Sequence, residues 1–205
     1  SYFFDNPTHV LTFHNRFRGI VEESMTPAPP TKHHLGDVPL YILTSGATES
    51  AAEDFSYIMK EHDKTTLDGA TTAGAVHTVG FFPVDPGFVI GISDGRPESP
   101  VTGEGWEGVG VVPDIDVAAP EALRRAQMEA LTLLKANAVA DDADTFTYDW
   151  ALTGLEGEAN PPQLTSRELK AMAGTFGPRE ISRKGSKLYY ARSGGTKAEL
   201  VPLTK

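Results

Sequence analysis

The chain has 205 residues, 40% of them hydrophobic, with 18 basic against 28 acidic side chains, a net charge of −10 and no cysteine. That length and apolar content suit one medium domain, or one domain with a small appendage, around a proper core. The acidic balance argues against nucleic acid or an anionic membrane as partner, and the missing cysteine excludes disulfides, thiolate metal sites and cysteine nucleophiles.

In chain order, residues 1–17 read as the end of one element followed by an extended segment, residues 9–14, with partial alternation. Ser1-Tyr2-Phe3-Phe4-Asp5 has no charged start or apolar run of a signal peptide and begins on an apolar cluster, so the expectation is a fragment whose upstream half lies elsewhere. Residues 22–34 are proline-rich and polar, which predicts a surface loop. Residues 38–44 read as a short apolar strand of the kind buried on both faces of a sheet. Residues 51–62 carry Ala51, Phe55, Ile58 and Met59 at helical spacing, which predicts a helix buried on that stripe. Residues 65–67 read as the next strand.

The stretch Gly69-Ala70-Thr71-Thr72-Ala73-Gly74-Ala75 lacks both GK[ST] and GxGxxG, so its small residues point to close backbone approach or an open groove rather than to phosphate binding. Residues 77–84 and 88–92 read as strands joined by the turn Asp85-Pro86-Gly87. Residues 97–105 read as a polar loop. Residues 120–139 predict the clearest helix, with Pro120 in its first turn and Leu123, Ala126, Ala130, Leu131 and Leu134 on its buried face. Such alternation of strands and helices indicates an α/β core. Beyond 140 the composition changes. Residues 141–164 read as a linker. Residues 165–205 read as a small antiparallel α+β appendage: a helix over 165–172 capped by Thr165 or Ser166, then strands over 179–183, 187–192 and 199–203. Their turns fall at Lys184-Gly185 and Gly194-Gly195.

The strand over 38–44 runs into Thr44-Ser45-Gly46-Ala47-Thr48-Glu49-Ser50-Ala51-Ala52-Glu53. A serine at such a strand-to-helix turn meets unsatisfied backbone N–H groups and the positive end of the helix dipole. An acyl-transfer nucleophile needs this setting, because its tetrahedral intermediate carries an oxyanion. Ser50 is therefore the candidate catalytic residue. A plain N-cap is the competing reading, supported by Glu53 at the capping-box position. However, Ser45 and Thr48 also supply hydroxyls, more than capping requires.

A serine nucleophile needs a base and a group that orients it. Glu107, set among Gly103, Gly105, Gly108 and Gly110, is the acidic candidate; a solvated loop glutamate is the alternative. No histidine stands out as base. His62 falls at a helix end, where a cation is favourable without catalysis; His33 and His34 sit in the proline-rich loop; His77 follows the small-residue stretch and could face a groove, yet a strand histidine is commonly structural. The histidines show no metal-ligand spacing, so neither a metal nor another cofactor is expected.

Three blocks, in order, resemble the tail-specific (C-terminal processing) serine peptidase family, most closely the branch of the tricorn core and the interphotoreceptor retinoid-binding protein repeats. Residues 40–53 look like its nucleophile block. Residues 69–74 look like its GExTxG block, with Ala70 in place of the usual glutamate. Gly105-Trp106-Glu107-Gly108-Val109-Gly110-Val111-Val112-Pro113-Asp114-Ile115 looks like its closing G-V-x-P-D block. The likeness covers residues 1–139. It implies a partial ClpP/crotonase-like spiral of ββα units over residues 1–140, with Ser50 as nucleophile, the Ala51 N–H as one oxyanion donor and Glu107 orienting or polarising a histidine. Members with a Ser–Lys dyad carry the lysine where this chain has Ala75. The tricorn-like branch instead uses an upstream histidine and an upstream glycine-rich strand end.

The resemblance implies a serine endopeptidase that hydrolyses peptides or unfolded proteins outside the cytoplasm, in the periplasm or secreted, with this fragment alone nearly inactive. The alternative is a non-catalytic binding module of the same fold, its groove holding an apolar ligand or peptide, with Gly74, His77 and Trp106 as groove candidates and Phe81-Phe82 adding apolar surface. The strand edges of the appendage carry a third expectation, homo-oligomerisation through the C-terminal strands.

Overall fold

The architecture comes from a computed structural model, which describes residues 1–30, 34–138 and 143–204. The chain is mixed α/β and divides into two compact units, Ser1–Ala126 and Gln127–Lys205. The division falls within helix α2 (Ala119–Asn137) rather than near residue 140.

The first unit is built on two sheets. A parallel three-stranded sheet has the order β3-β4-β7, from Tyr41–Thr44, Thr66–Gly69 and Ile115–Asp116. Helix α1 (Ala51–Glu61) connects β3 to β4, the crossover that parallel pairing demands. The second sheet is antiparallel, ordered β2-β1-β6-β5. Its members are β1 (His9–Asn15), β2 (Ile20–Met25), β5 (Thr78–Asp85) and β6 (Phe88–Glu98). Gly87 sits in the β5–β6 turn at φ +90°, a conformation open to glycine. The core gathers Leu11, Leu67, Val76, Trp106 and Val111, with a second cluster of Phe4, Val10 and Met59.

Several expectations need correction here. Residues 20–25, expected partly as loop, pair with β1 as a fully exposed edge strand, and solvent on its faces explains its polar composition. Strand β6 runs on to Glu98 because Thr12–Asn15 of β1 supply pairing partners for its polar end. The buried face of α1 is Glu53, Ser56 and Met59, whereas Phe55 and Ala51 are exposed. The hydrogen bonds that hold Glu53 inside set this rotation. On α2 the buried positions are the small Ala122 and Ala126, and Leu123 and Leu134 are exposed.

In the second unit, residues expected as linker form α3 (Ala143–Ala159). Its apolar residues are spread around the helix rather than gathered on one stripe, so no periodicity marked it. Pro161-Pro162, just beyond, prevents its continuation. The short helix α4 (Ser166–Met172) takes Thr165 as N-cap, whose side chain accepts the Glu168 N–H. A four-stranded antiparallel sheet follows, ordered β11-β10-β9-β8, from β8 (Gly174–Phe176), β9 (Arg179–Lys184), β10 (Lys187–Arg192) and β11 (Ala198–Leu200). Of these, β8 had no signal in the sequence. No helix among the described residues is long and apolar enough to cross a membrane.

Candidate active site

Ser50 is exposed at the turn between β3 and α1. The turn closes on itself without Ser50's help: the Ser45 N–H donates to the Thr48 hydroxyl at 3.0 Å, and the Thr48 N–H to the Ser45 carbonyl at 2.9 Å. Ser50 occupies the N-cap position with φ +54° and ψ −124°, and the Glu53 side chain takes its N–H as in a capping box. An ordinary N-cap is extended, as Thr165 is at φ −70° and ψ 158°. The chain thus holds two Ser/Thr-x-x-Glu boxes, one relaxed and one strained. Positive φ at a non-glycine residue costs of order 1–3 kcal/mol and concentrates at functional sites. Ala51, the first residue of α1, has an N–H without an intrahelical acceptor.

Glu53, which the sequence marked only as a capping residue, is 0% exposed and forms the hub of the site. Its Oε2 accepts the Ser50 N–H at 3.0 Å and the Ala75 N–H at 2.9 Å; its Oε1 accepts the Gly74 N–H at 2.6 Å and the Thr72 hydroxyl. Burial pushes this carboxyl's pKa up, but the bonds from Thr72, Gly74, Ala75 and Ser50 outweigh it and hold the group below its ordinary value. Glu53 is therefore a charged, fully satisfied anchor.

Glu107 repeats the device one step along. Its Oε2 accepts the Val76 N–H at 2.8 Å and the His77 N–H at 3.0 Å, and its Oε1 lies 3.8 Å from His77 Nδ1. The Val76 bond most of all, then the His77 N–H and ring charge, lower its pKa against a smaller opposing effect of burial. Four consecutive amides, 74 to 77, are thus divided between two carboxylates. The Ser50 N–H also donates to the Ala75 carbonyl at 3.1 Å, so this run of backbone ties Ser50 to Glu107.

The closing block is sewn to the same loop. The Gly108 N–H donates to the Gly74 carbonyl at 2.8 Å, and the Val111 N–H to the Thr72 hydroxyl at 2.7 Å. A Cβ on Gly74, at φ +75°, would stand 2.8 Å from the Gly110 nitrogen. The small residues here serve close backbone approach, and Gly74 is buried rather than groove-lining.

Trp106 is not a groove residue either. It is 1% exposed and stacks on Tyr57 with ring centroids 4.3 Å apart. Its indole is core, which removes one support of an apolar-ligand groove. His77 does line a cleft of about 460 Å³, together with His14, Asn15, Arg16, Asp94 and Arg96. Of the other histidines, His33 lies outside the described residues. Among the described residues no group of three or more His, Asp or Glu is placed to hold a metal ion.

A family model of peptidase family S41 matches residues 1–117, more than half of the 205 residues. The chain belongs to peptidase family S41. Among solved structures it is similar to the photosystem II D1 C-terminal processing protease, at 19% identity over 58% of this chain and 29% of that one, TM-score 0.47. It is also similar to a lipoprotein from Streptococcus agalactiae (18% identity, 64% of this chain and 47% of that one, TM-score 0.49) and to mature CPAF (15% identity, 67% and 41%, TM-score 0.48). The chain spans less than half the length of each of these proteins.

Proposed function

We propose that this S41 chain is the nucleophile-bearing part of a serine endopeptidase, with Ser50 attacking the carbonyl carbon of a peptide or unfolded protein. The observation that carries this reading is the backbone of Ser50: exposed, held at φ +54° at a strand-to-helix turn, and tied through Ala75 to the run of amides that ends on Glu107. A serine held for capping alone needs no such strain.

As the Ser50 oxygen bonds to the carbonyl carbon, negative charge moves to the carbonyl oxygen. In this reading the Ala51 N–H, at the start of α1 and without an intrahelical acceptor, receives it. Collapse expels the amine and leaves an acyl-enzyme, which water hydrolyses. Glu107 acts as a positioning residue for the base. The Ser–Lys form of the mechanism has no lysine here, because Ala75 stands in its place. By resemblance, the second oxyanion donor belongs to a glycine-rich strand end that this sequence does not contain. Loss of one such donor costs roughly 2.7–4 kcal/mol of barrier, so the 205 residues alone turn over poorly. The same resemblance assigns the enzyme to the periplasm or the exterior.

Labelling the full-length protein with a fluorophosphonate probe tests the reading. Adduct on Ser50, abolished in Ser50→Ala with the fold retained, is the expected result. Absence of adduct in the parent, or unchanged peptide hydrolysis in Ser50→Ala, overturns it.

A further inference from the structure

We infer that Arg179, Arg192 and Lys197 form a binding site for a dianionic oxyanion, a phosphate or sulfate group, at one end of the β8–β11 sheet. The site belongs to the second unit and stands independently of the Ser50 reading.

The charge of the chain is unevenly spread. Residues 165–205 hold nine of the 18 basic side chains and three of the 28 acidic ones, a net charge of +6, while residues 1–164 carry −16. The acidity of the whole chain therefore conceals a basic module, and its argument against anionic partners does not reach this segment.

Three observations locate the anion within that module. Arg179 of β9 and Arg192 of β10 are direct cross-strand partners, so both side chains leave the same face of the sheet. Like charges opposed in this way repel, and an anion between them turns the repulsion into attraction. Second, these cations lack the partners that others on the sheet have. Lys187 pairs with Glu199 at 2.8 Å, and the Arg183 Nε donates to the Gly185 carbonyl at 2.7 Å. Among the described residues neither Arg179 nor Arg192 makes an ion pair or a side-chain hydrogen bond, and Lys197 Nζ meets only the Ser182 hydroxyl, at 3.3 Å. Third, the three cations border an open cavity of about 300 Å³ whose one acidic lining residue is Glu180. The lining therefore holds a net charge of +2, which a sulfate or an ionised phosphate ester neutralises and a single carboxylate does not.

The frame behind the arginines is fixed. The Ser193 N–H donates to the Pro178 carbonyl at 2.9 Å and the Ser193 hydroxyl to the same oxygen at 3.3 Å, while the Gly195 N–H donates to the Arg192 carbonyl at 2.7 Å. These bonds tie the turn after β10 to the turn before β9, so the backbones of both arginines are set before a ligand arrives. Each guanidinium then offers paired N–H donors in the planar fork that phosphate and sulfate oxygens match.

Calorimetric titration of the full-length protein with sodium sulfate and with glycerol phosphate, in a chloride buffer near neutral pH, tests the inference. One saturable site per chain is expected, with Arg179→Gln and Arg192→Gln each weakening it by at least about tenfold. Lys184→Gln removes the same charge from the same sheet outside the cavity lining and should bind like the parent. Thermal melting confirms that each variant is folded. Saturation by sulfate shows that the bare group suffices as ligand, and saturation by glycerol phosphate alone shows that the ester is required. Absence of saturation by either probe overturns the inference, as does parent-like binding in folded Arg179→Gln or Arg192→Gln. Acetate binding as tightly as sulfate removes the dianion from it. Equal weakening in Lys184→Gln also overturns it, because that marks diffuse attraction rather than a site.

Discussion

Glu53 and Glu107 share one uninterrupted run of backbone amides, Gly74 and Ala75 donating to the first, Val76 and His77 to the second. One carboxylate is fully buried and the other is partly open to solvent, yet the same loop fixes both. Glu53 also takes the Ser50 N–H, so the two acids and the serine form one hydrogen-bonded unit.

Glu53→Ala should therefore be among the most damaging single changes in the chain. It strands the N–H groups of Gly74 and Ala75 and the Thr72 hydroxyl, each a buried or part-buried donor, and leaves the Ser50 N–H with the Ala75 carbonyl alone. A stability loss on the order of 3–5 kcal/mol is expected. Urea unfolding measures it, and a loss below about 1 kcal/mol would show that the loop stands without this anchor.

Acid should unpick the same unit. Both carboxyls have folded pKa values below the ordinary 4.5. A depressed folded pKa gives stability that is fully present above the unfolded value and is lost as pH falls through the folded one. Unfolding free energy should hold from neutrality down to the ordinary carboxylate range and drop below it. Glu53→Gln should flatten part of that drop. An acid limb identical in parent and variant would remove Glu53 from the explanation.

Ser50→Gly should gain stability relative to Ser50→Ala, by roughly 1 kcal/mol, because glycine relaxes the φ +54° backbone and alanine does not. Denaturation midpoints of the two variants decide this. Equal midpoints would mean that the turn holds no strain at position 50.

Trp106 should report a dry core. In a Trp150→Phe background its emission should be blue-shifted and poorly quenched by acrylamide, since Trp106 is 1% exposed and Trp150 is 64% exposed. Trp106→Ala should cost about 3–5 kcal/mol. Free quenching in that background would return the indole to a groove.

Gly69→Ala should be far worse than Gly19→Ala. A Cβ on Gly69, at φ +138°, collides with the Thr44 carbonyl across the β3–β4 pair, whereas one on Gly19 meets nothing within 4 Å. Thermal melts of the two variants should separate by several degrees.

Much of the frame was legible because it is written in side-chain types. The apolar strand, the hydroxyl-rich turn and the helix around Ser50 fall where the sequence puts them, and so does the β5–β6 turn at Gly87. What escaped is written in backbone. Ala75 read only as the absence of a lysine, yet its N–H and carbonyl link Glu53 to Ser50. Any residue type supplies those atoms, so composition cannot reveal them. Glu53 read as a cap because a capping box and a buried hub share the same Ser-x-x-Glu spacing; the donors that distinguish them come from 19 and 21 residues further on. Trp106, ringed by glycines, looked like groove lining, but those glycines let the loop fold the indole inward against Tyr57. Helix α3 was missed because it is apolar on every side.

The alternation of amides along residues 74–77 has a mechanical consequence. Sliding the loop past either acid breaks bonds at both, so serine and acid keep a fixed spacing or lose it together. The links are peptide groups, which a point mutation cannot delete, proline excepted.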